Sequence, residues 1–320
     1  MTAPAIEKIY ALPLYARYIL YRRGILRQCR LKKPVISVGG LKLGGVGKTL
    51  LVEALAGVFL SQGLRPAILT RGYGRKSRER IILPAEGVSW RDVGDEPLLL
   101  SQKLPGVPIA VHPDRCASGK FLESRADLFI LDDGFQHLRL ARGLDIVVLD
   151  GAEFSTGIFP FGWRRDGLWR LDDPEKIIIA APKHKSDAVA ERLPDFEVLP
   201  FETLPAGIST IDFQQMRPLE YIAGKRVFLC AGIANPHRFE RLVRSLGAEV
   251  VGKKWFLDHR FYKKSQVERV LSLARRRSAE IILTTEKDAV KIAGFSPPIE
   301  VLLVRAQLDY VPERILNLAK

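Results

Sequence analysis

A glycine-rich run ending in lysine and threonine, Gly44-Gly-Val-Gly-Lys-Thr49, follows the apolar stretch Val35-Ile-Ser-Val38. Gly44, Gly45 and Gly47, with Val46 between them, allow backbone N–H groups to close around phosphate oxygens. Lys48 can neutralise the outer phosphates of a nucleoside triphosphate, and the Thr49 hydroxyl can hold Mg²⁺. Leu51, Leu55, Val58 and Phe59 then recur at helical spacing until Gly63, so strand, loop and helix stand in the order that phosphate binding requires. The strict phosphate-loop pattern carries one more glycine, where this chain has Lys42.

Carboxylates follow at two places where a metal or a reacting hydroxyl could be met. Asp132-Asp133-Gly-Phe-Gln-His137 leaves the apolar run Leu128 to Leu131. A carboxylate at the end of a strand parallel to the phosphate-loop strand lies where Mg²⁺ is held, and the plainer reading is a polar turn capped by aspartate. Gly94-Asp95-Glu96-Pro97 opens a helix. Asp95 either caps that helix or orients and deprotonates an acceptor hydroxyl. Arg71, Arg75, Arg115, Arg164 and Arg165 fall near predicted strand ends and loops, where ligands gather in α/β sheets. Asp258-His259 follows the aromatic pair Trp255-Phe256, and a lone histidine there reads as structural. Thr285-Glu-Lys-Asp288 departs from the guanine-reading spacing and reads as a helix start.

The elements that must position these groups alternate. Apolar runs at Val35–Val38, Ala67–Thr70, Val107–Val111, Leu128–Leu131, Ile146–Leu149 and Ile177–Ala180 are separated by helical patterns. The expected fold is α/β: a P-loop NTPase-like, mostly parallel sheet with helices on both faces, over residues 34–192. Residues 193–224 lack helical period and read as a crossing between domains. Beyond them, residues 225–320 form a second, smaller α/β domain, with strands at Val227–Cys230, Ile281–Thr284 and Val301–Val304 and helices at Pro236–Ser245 and Gln266–Arg276.

With 320 residues, 47% of them hydrophobic, the chain can bury a large core, which excludes a disordered protein. Its formal charge of +14 calls for an anionic partner: nucleic acid, an anionic membrane or a phosphorylated molecule. Residues 1–33 concentrate Lys8, Arg17, Arg22, Arg23, Arg27, Arg30, Lys32 and Lys33 among Ile6, Ile9, Tyr10, Leu14, Tyr18, Ile19 and Leu20. They read as a basic amphipathic helix, interrupted near Pro13, that lies in the headgroup layer of an anionic membrane, or else packs on the domain with a solvated basic face. No stretch is long and apolar enough to span a bilayer, and no secretion signal is evident. Cys29, Cys116 and Cys230 make no metal pattern and read as free thiols.

Together these segments resemble the tetraacyldisaccharide 4'-kinase family, the inner-membrane enzymes that phosphorylate the lipid A precursor. The match runs through Tyr21-Arg-Arg-Gly24, Pro34-Val-Ile-Ser-Val-Gly39, the phosphate loop, Thr70-Arg-Gly-Tyr73, Gly94-Asp-Glu-Pro97, Asp132-Asp-Gly-Phe-Gln-His137, Ala231-Gly-Ile-Ala-Asn-Pro236, Phe256-Leu-Asp-His259 and Thr285-Glu-Lys-Asp-Ala-Val-Lys291. The resemblance implies ATP as co-substrate, Mg²⁺, and transfer of the γ-phosphoryl group to the 4' hydroxyl of a tetraacylated glucosamine disaccharide 1-phosphate. It implies Asp95 as general base with His259 as its partner, and Thr49, Glu96 and Asp132 around the metal. Arg71, Arg115, His137 and Arg165 would contact the sugar or its phosphate. The chain departs from the family pattern at Gly40, Ala234 and Arg164-Arg165-Asp166-Gly167. The expected setting is the cytoplasmic face of the inner membrane, reached as a monomer through the N-terminal helix, with no nucleic acid bound.

Two other readings remain. A nucleotide-switched GTPase or metallochaperone would show strict guanine preference, and the guanine-reading motif is missing. A nucleic-acid-dependent ATPase would bind DNA or RNA with steep salt dependence. The basic residues concentrate in the N-terminal segment, with no aromatic-basic repeat elsewhere.

Overall fold

The computed structural model describes residues 5–44, 47–233, 235–257, 262–292, 298–308 and 310–318. In chain order, α1 (Ala5–Arg22) precedes β1 (Val35–Gly40), α2 (Lys48–Ser61), β2 (Pro66–Thr70), β3 (Ile81–Leu83), α3 (Trp90–Val93) and α4 (Asp95–Lys103). Then come β4 (Ile109–Val111), α5 (Arg115–Leu122), β5 (Leu128–Asp132), β6 (Leu144–Val148), β7 (Ile177–Pro182) and α6 (Ser186–Ala190). β8 (Glu197–Thr210), β9 (Met216–Arg217), β10 (Arg226–Ala231), α7 (Pro236–Ser245), β11 (Glu249–Trp255) and α8 (Lys264–Arg276) follow. The chain closes with β12 (Ile281–Thr285), α9 (Glu286–Ile292), β13 (Glu300–Leu308) and α10 (Glu313–Asn317).

Among the described residues all the strands join one sheet of 13, in the order β11-β10-β12-β13-β8-β7-β6-β1-β5-β2-β4-β3, with β9 paired to β8. Pairing is parallel except at β3–β4, β8–β9 and β8–β13. The phosphate-loop strand β1 lies between β5 and β6. Its flanks are buried on both faces, which is why these strands read as continuous apolar runs rather than alternating ones. Ile36, Val38, Ile68, Ile130 and Ile146 meet Leu51, Leu55 and Phe59 of α2 on one face. Val35, Ala67, Leu69, Phe129 and Leu131 meet Cys116 and Leu122 of α5 on the other. Each isoleucine, valine, leucine or phenylalanine among them, fully buried, contributes roughly 1.5–3 kcal/mol.

Three expectations need correction. The crossing segment 193–224 contains β8, a 14-residue strand that pairs parallel to β7 through Phe201 and then antiparallel to β13. It carries the sheet without a break from the phosphate-loop half into the C-terminal half. Pro205 sits where the β8–β13 register shifts, a place where a missing N–H costs little. α1 runs unbroken through Pro13, which lies on its exposed side where water can take the freed carbonyl. Cys29 and Cys116 are not free thiols: they form a disulfide between the segment after α1 and the first turn of α5, leaving Cys230 as the free, buried thiol. The fold brings those cysteines together by stacking the segment on α5, with Leu31 against Gly119, a contact that spacing along the chain cannot show.

Among the described residues no helix is long and apolar enough to cross a membrane. α1 turns Glu7 and Ala11 inward and leaves Ile6, Ile9 and Leu12 exposed at 65%, 71% and 63%. That is the reverse of a helix packed on a domain by its apolar stripe.

Candidate active site

β1, β2 and β5 end side by side, and their C-terminal ends hold the polar groups. The chain turns out of β1 through Gly44 and Gly47, both in the left-handed region. At Gly47 a Cβ would also stand 2.7 Å from the Phe201 ring, so the turn needs glycine on two grounds. Gly47 precedes the first turn of α2, whose N-terminal N–H groups and dipole favour an anion. Lys48 Nζ donates to the Gly44 carbonyl at 3.3 Å and lies 3.8 Å from Asp133 Oδ1. Burial pulls its ammonium below the usual lysine range, against the opposing charge of Asp133. Thr49 is half-buried in the same turn. Gly45, Val46 and His259 lie outside the described residues.

The two aspartates after β5 differ sharply. Asp132 ends the strand, is buried, and accepts from Thr70 Oγ1 of β2 at 2.9 Å. Burial, together with the charges of Glu96 and Asp133, pushes its carboxyl up to about 7. Asp133 adopts a left-handed backbone and takes both Arg165 Nη atoms, at 2.6 and 2.7 Å. Burial raises its carboxyl, but Arg165, Lys48 and Arg115 outweigh that and hold it below the usual range. Arg142 clasps the following turn by donating to the carbonyls of Gly134, Phe135 and His137 while pairing with Asp145.

Arg115, at the start of α5, donates to His137 Nδ1 at 2.9 Å. Burial lowers Arg115 to about 10 and, with Arg115's charge added, lowers His137 to about 4. His137 is therefore a neutral imidazole whose Nε2 carries the proton. That Nε2 is buried without a hydrogen-bond partner, as are the Nε atoms of Arg115 and Arg165. Buried donors without acceptors are costly, so an oxygen-rich ligand fits here. Arg71 is exposed and close enough to Arg115 to weaken it electrostatically.

Asp95 opens α4 and is buried. Gly94 before it has a left-handed φ of 96°, and a Cβ there would meet the Tyr73 carbonyl at 2.9 Å, so glycine seats the helix start against the turn after β2. Asp95 does accept its own helix's N–H, from Glu96 at 3.1 Å, and it also pairs with Lys291 Nζ of α9 at 3.2 Å. The Lys291 side chain is 2% exposed and lies 3.6 Å from Asp288, which also accepts from Gly232 N, Tyr262 Oη and Thr285 Oγ1. Lys287 pairs with Glu96. The Thr285–Asp288 motif is thus the helix start it reads as, and its helix reaches both carboxylates of the Gly-Asp-Glu-Pro turn. Sequence reasoning assigned no role to Lys287 or Lys291. The i, i+3 spacing of Asp288 and Lys291 was the available signal.

Among the described residues no three carboxylate, imidazole or thiolate groups gather as a metal site by themselves. A magnesium ion would rest on one or two carboxylates, the Thr49 hydroxyl and phosphate oxygens, the donor set such ions take beside a nucleotide. Asp132 fits that demand, since the mutual repulsion of Asp132, Glu96 and Asp133 is what a cation would relieve.

The arrangement matches known proteins over nearly its whole length. A family model described as tetraacyldisaccharide-1-P 4'-kinase matches residues 4–318. Tetraacyldisaccharide 4'-kinases of Desulfotalea psychrophila and Syntrophus aciditrophicus are 36% and 35% identical over 306 residues, which is 91% and 89% of this chain and 87% and 82% of theirs. The crystal structure of an "apo" form of LpxK from Aquifex aeolicus, in complex with ATP, aligns with a TM-score of 0.80 at 28% identity and covers 98% of each chain. The chain is a P-loop kinase and belongs to the tetraacyldisaccharide-1-P 4'-kinase family.

Proposed function

We propose that this kinase transfers the γ-phosphoryl group of ATP to the 4' hydroxyl of a tetraacylated glucosamine disaccharide 1-phosphate, working as a monomer on the cytoplasmic face of the inner membrane. The observation that carries the reading is the convergence of Lys48, Asp132 and the Asp95–Glu96 pair, with Glu96 acting electrostatically on both Lys48 and Asp132.

In this reading Lys48 leaves Gly44 and Asp133 to take the outer phosphates, while the turn from Gly44 through Gly45 and Val46 to Gly47 wraps them. Thr49, Glu96 and Asp132 would hold Mg²⁺, whose charge offsets that of the phosphates. Asp95, with His259 as its partner and the Lys291 ammonium balancing its charge, accepts the proton of the 4' hydroxyl. The 4' oxygen forms its bond to the γ-phosphorus as the bond to the bridging oxygen of the departing ADP breaks. Arg71, Arg115, His137 and Arg165 hold the sugar or its phosphate. The buried, partnerless donors of Arg115, His137 and Arg165 support this. The uncovered apolar stripe of α1 among exposed basic residues supports attachment to an anionic membrane, so that the acyl chains can stay in lipid.

The test is label transfer from γ-labelled ATP to the purified acceptor in detergent micelles with Mg²⁺, comparing wild type with Asp95→Ala. Label should enter the lipid, and the variant should lose it by about 10²–10⁴-fold. Transfer that survives demotes Asp95 to a helix cap. Absence of transfer by the wild type, with nucleotide bound, returns the chain to the switch reading.

A further inference from the structure

The segment Phe159-Pro-Phe-Gly-Trp163 exposes three large aromatics, Phe159, Phe161 and Trp163, at 51%, 44% and 67%. Its backbone is nevertheless fixed. Phe159 N donates to the Arg164 carbonyl at 2.7 Å, Phe161 N to Ile158 at 2.9 Å and Trp163 N to Thr156 Oγ1 at 3.0 Å. Exposed aromatics on a held loop face water at a cost, and among the described residues all three stay open to solvent.

This loop is built into α1. The buried Glu7 carboxylate accepts from Ile158 N at 2.8 Å and lies 3.9 Å from Arg164. The Tyr10 and Phe161 rings meet edge to face at 6.3 Å between centroids. Further along, Tyr15 packs edge-on against Trp169, and Tyr18 donates to Asp172 at 2.5 Å. Helix and loop are therefore joined through Glu7 and Tyr10, and both carry exposed apolar groups: Ile6 and Ile9 on the helix, within a turn of Tyr10, and the three aromatics on the loop. Exposed Lys8, Arg17, Arg23 and Arg27 accompany them. Aromatic and aliphatic side chains among cations suit one surface, the headgroup layer of an anionic bilayer.

We propose that the loop Phe159–Trp163 is a second membrane-inserting element, which enters an anionic bilayer beside α1. The proposal rests on the membrane reading of α1. It has a consequence for the site. Leu43 N, at the entry to the phosphate loop, donates to the Trp163 carbonyl at 2.7 Å, and Arg165 N donates to Leu41 at 2.6 Å. Two residues beyond Trp163, Arg165 holds Asp133 beside Lys48. A loop seated in the headgroups thus fixes the height of the phosphate loop above the membrane, where an acylated disaccharide presents its hydroxyl.

The test uses the full chain with phosphatidylglycerol-containing vesicles free of the acceptor, in sedimentation and in tryptophan quenching by brominated lipids. Phe159→Ser/Phe161→Ser/Trp163→Ser should weaken partitioning roughly tenfold or more while ATP affinity, the check on folding, is kept. Trp163→Phe should bind as wild type and lose most of the quenching. Failure of the wild type to bind anionic vesicles would overturn both the α1 reading and this proposal. Release by Ile6→Ser/Ile9→Ser/Leu12→Ser, with wild-type binding by the loop variant and quenching unchanged in Trp163→Phe, would overturn the loop alone. A loop variant that binds vesicles normally and only raises KM for the acceptor would assign the aromatics to the acceptor's own chains, and would also overturn it.

Discussion

Asp132 and Asp133 are neighbours in the chain held in opposite electrostatic states, and pH should expose the difference. Asp132, pushed up to about 7, binds its proton more tightly folded than unfolded. Its ionisation therefore costs stability, a cost that grows as pH rises from about 4, the ordinary carboxylate value, and is complete above the folded value. Asp132→Asn should flatten the loss of Tm across that window; a slope equal to wild type would show that other groups set it. A divalent cation favours the ionised form. The acid limb of kcat/KM should accordingly lie near pH 7 at low Mg²⁺ and move down as Mg²⁺ is raised, and a limb indifferent to Mg²⁺ would remove Asp132 from the metal's donors. Lys48, by contrast, is drawn below the usual lysine range by burial, against the opposing charge of Asp133 3.8 Å away. Lys48→Ala should lower turnover by about 10²–10³-fold through lost electrostatic stabilisation, with Tm little changed. Wild-type turnover in that variant would sink the phosphate-loop assignment.

Between elements, the active site is joined across the sheet by lysines. Lys103 of α4 reaches Glu53 of α2 and Glu286 of α9, both at 2.7 Å, and donates to the Val304 carbonyl of β13 at 2.8 Å. Lys291 of α9 returns to Asp95 of α4. Lys291 is the buried cation between Asp95 and Asp288, so Lys291→Met removes the balancing charge of both carboxylates and should cost about 3–5 kcal/mol. Asp95→Asn/Lys291→Met should recover part of that stability and none of the activity, because Asp95 is then gone. Additive losses in Tm would mean that the two groups are not coupled. These lysines also mark where the sequence stops being legible. The strands around β1 and the bounds of α7 follow from apolar runs and from Asn235 capping a helix that begins with proline. The phosphate loop and the paired carboxylates are local patterns, readable because each requirement falls within a few residues. β8 against β13, Cys29 with Cys116, and Lys291 with Asp95 are contacts between segments far apart, fixed by three-dimensional closure, and no local period encodes them. Phe159, Phe161 and Trp163 escaped for another reason: their exposure, not their type, is what singles them out.

Over the whole molecule, the charge of +14 sits on a chain whose exposed basic residues crowd α1 and the segment behind it. Apolar insertion at α1 works at contact, whereas charge works over the Debye length, roughly 10 Å at 0.1 M salt and about 3 Å at 1 M. Each basic residue near an anionic surface adds about 1 kcal/mol, so salt should act on arrival at the membrane and leave the enclosed site alone. Raising ionic strength across that range should therefore increase KM for an acceptor embedded in anionic vesicles by tenfold or more, on the order of two of those contacts, while kcat and KM for ATP change little. The same acceptor in uncharged detergent micelles is the control, since no surface potential exists there to screen. If salt raised KM equally in uncharged micelles, the charge would be acting on the disaccharide's own phosphate through Arg71, Arg115 and Arg165 rather than on the membrane. The vesicle effect persisting alone would place the excess charge where the apolar stripe of α1 already points.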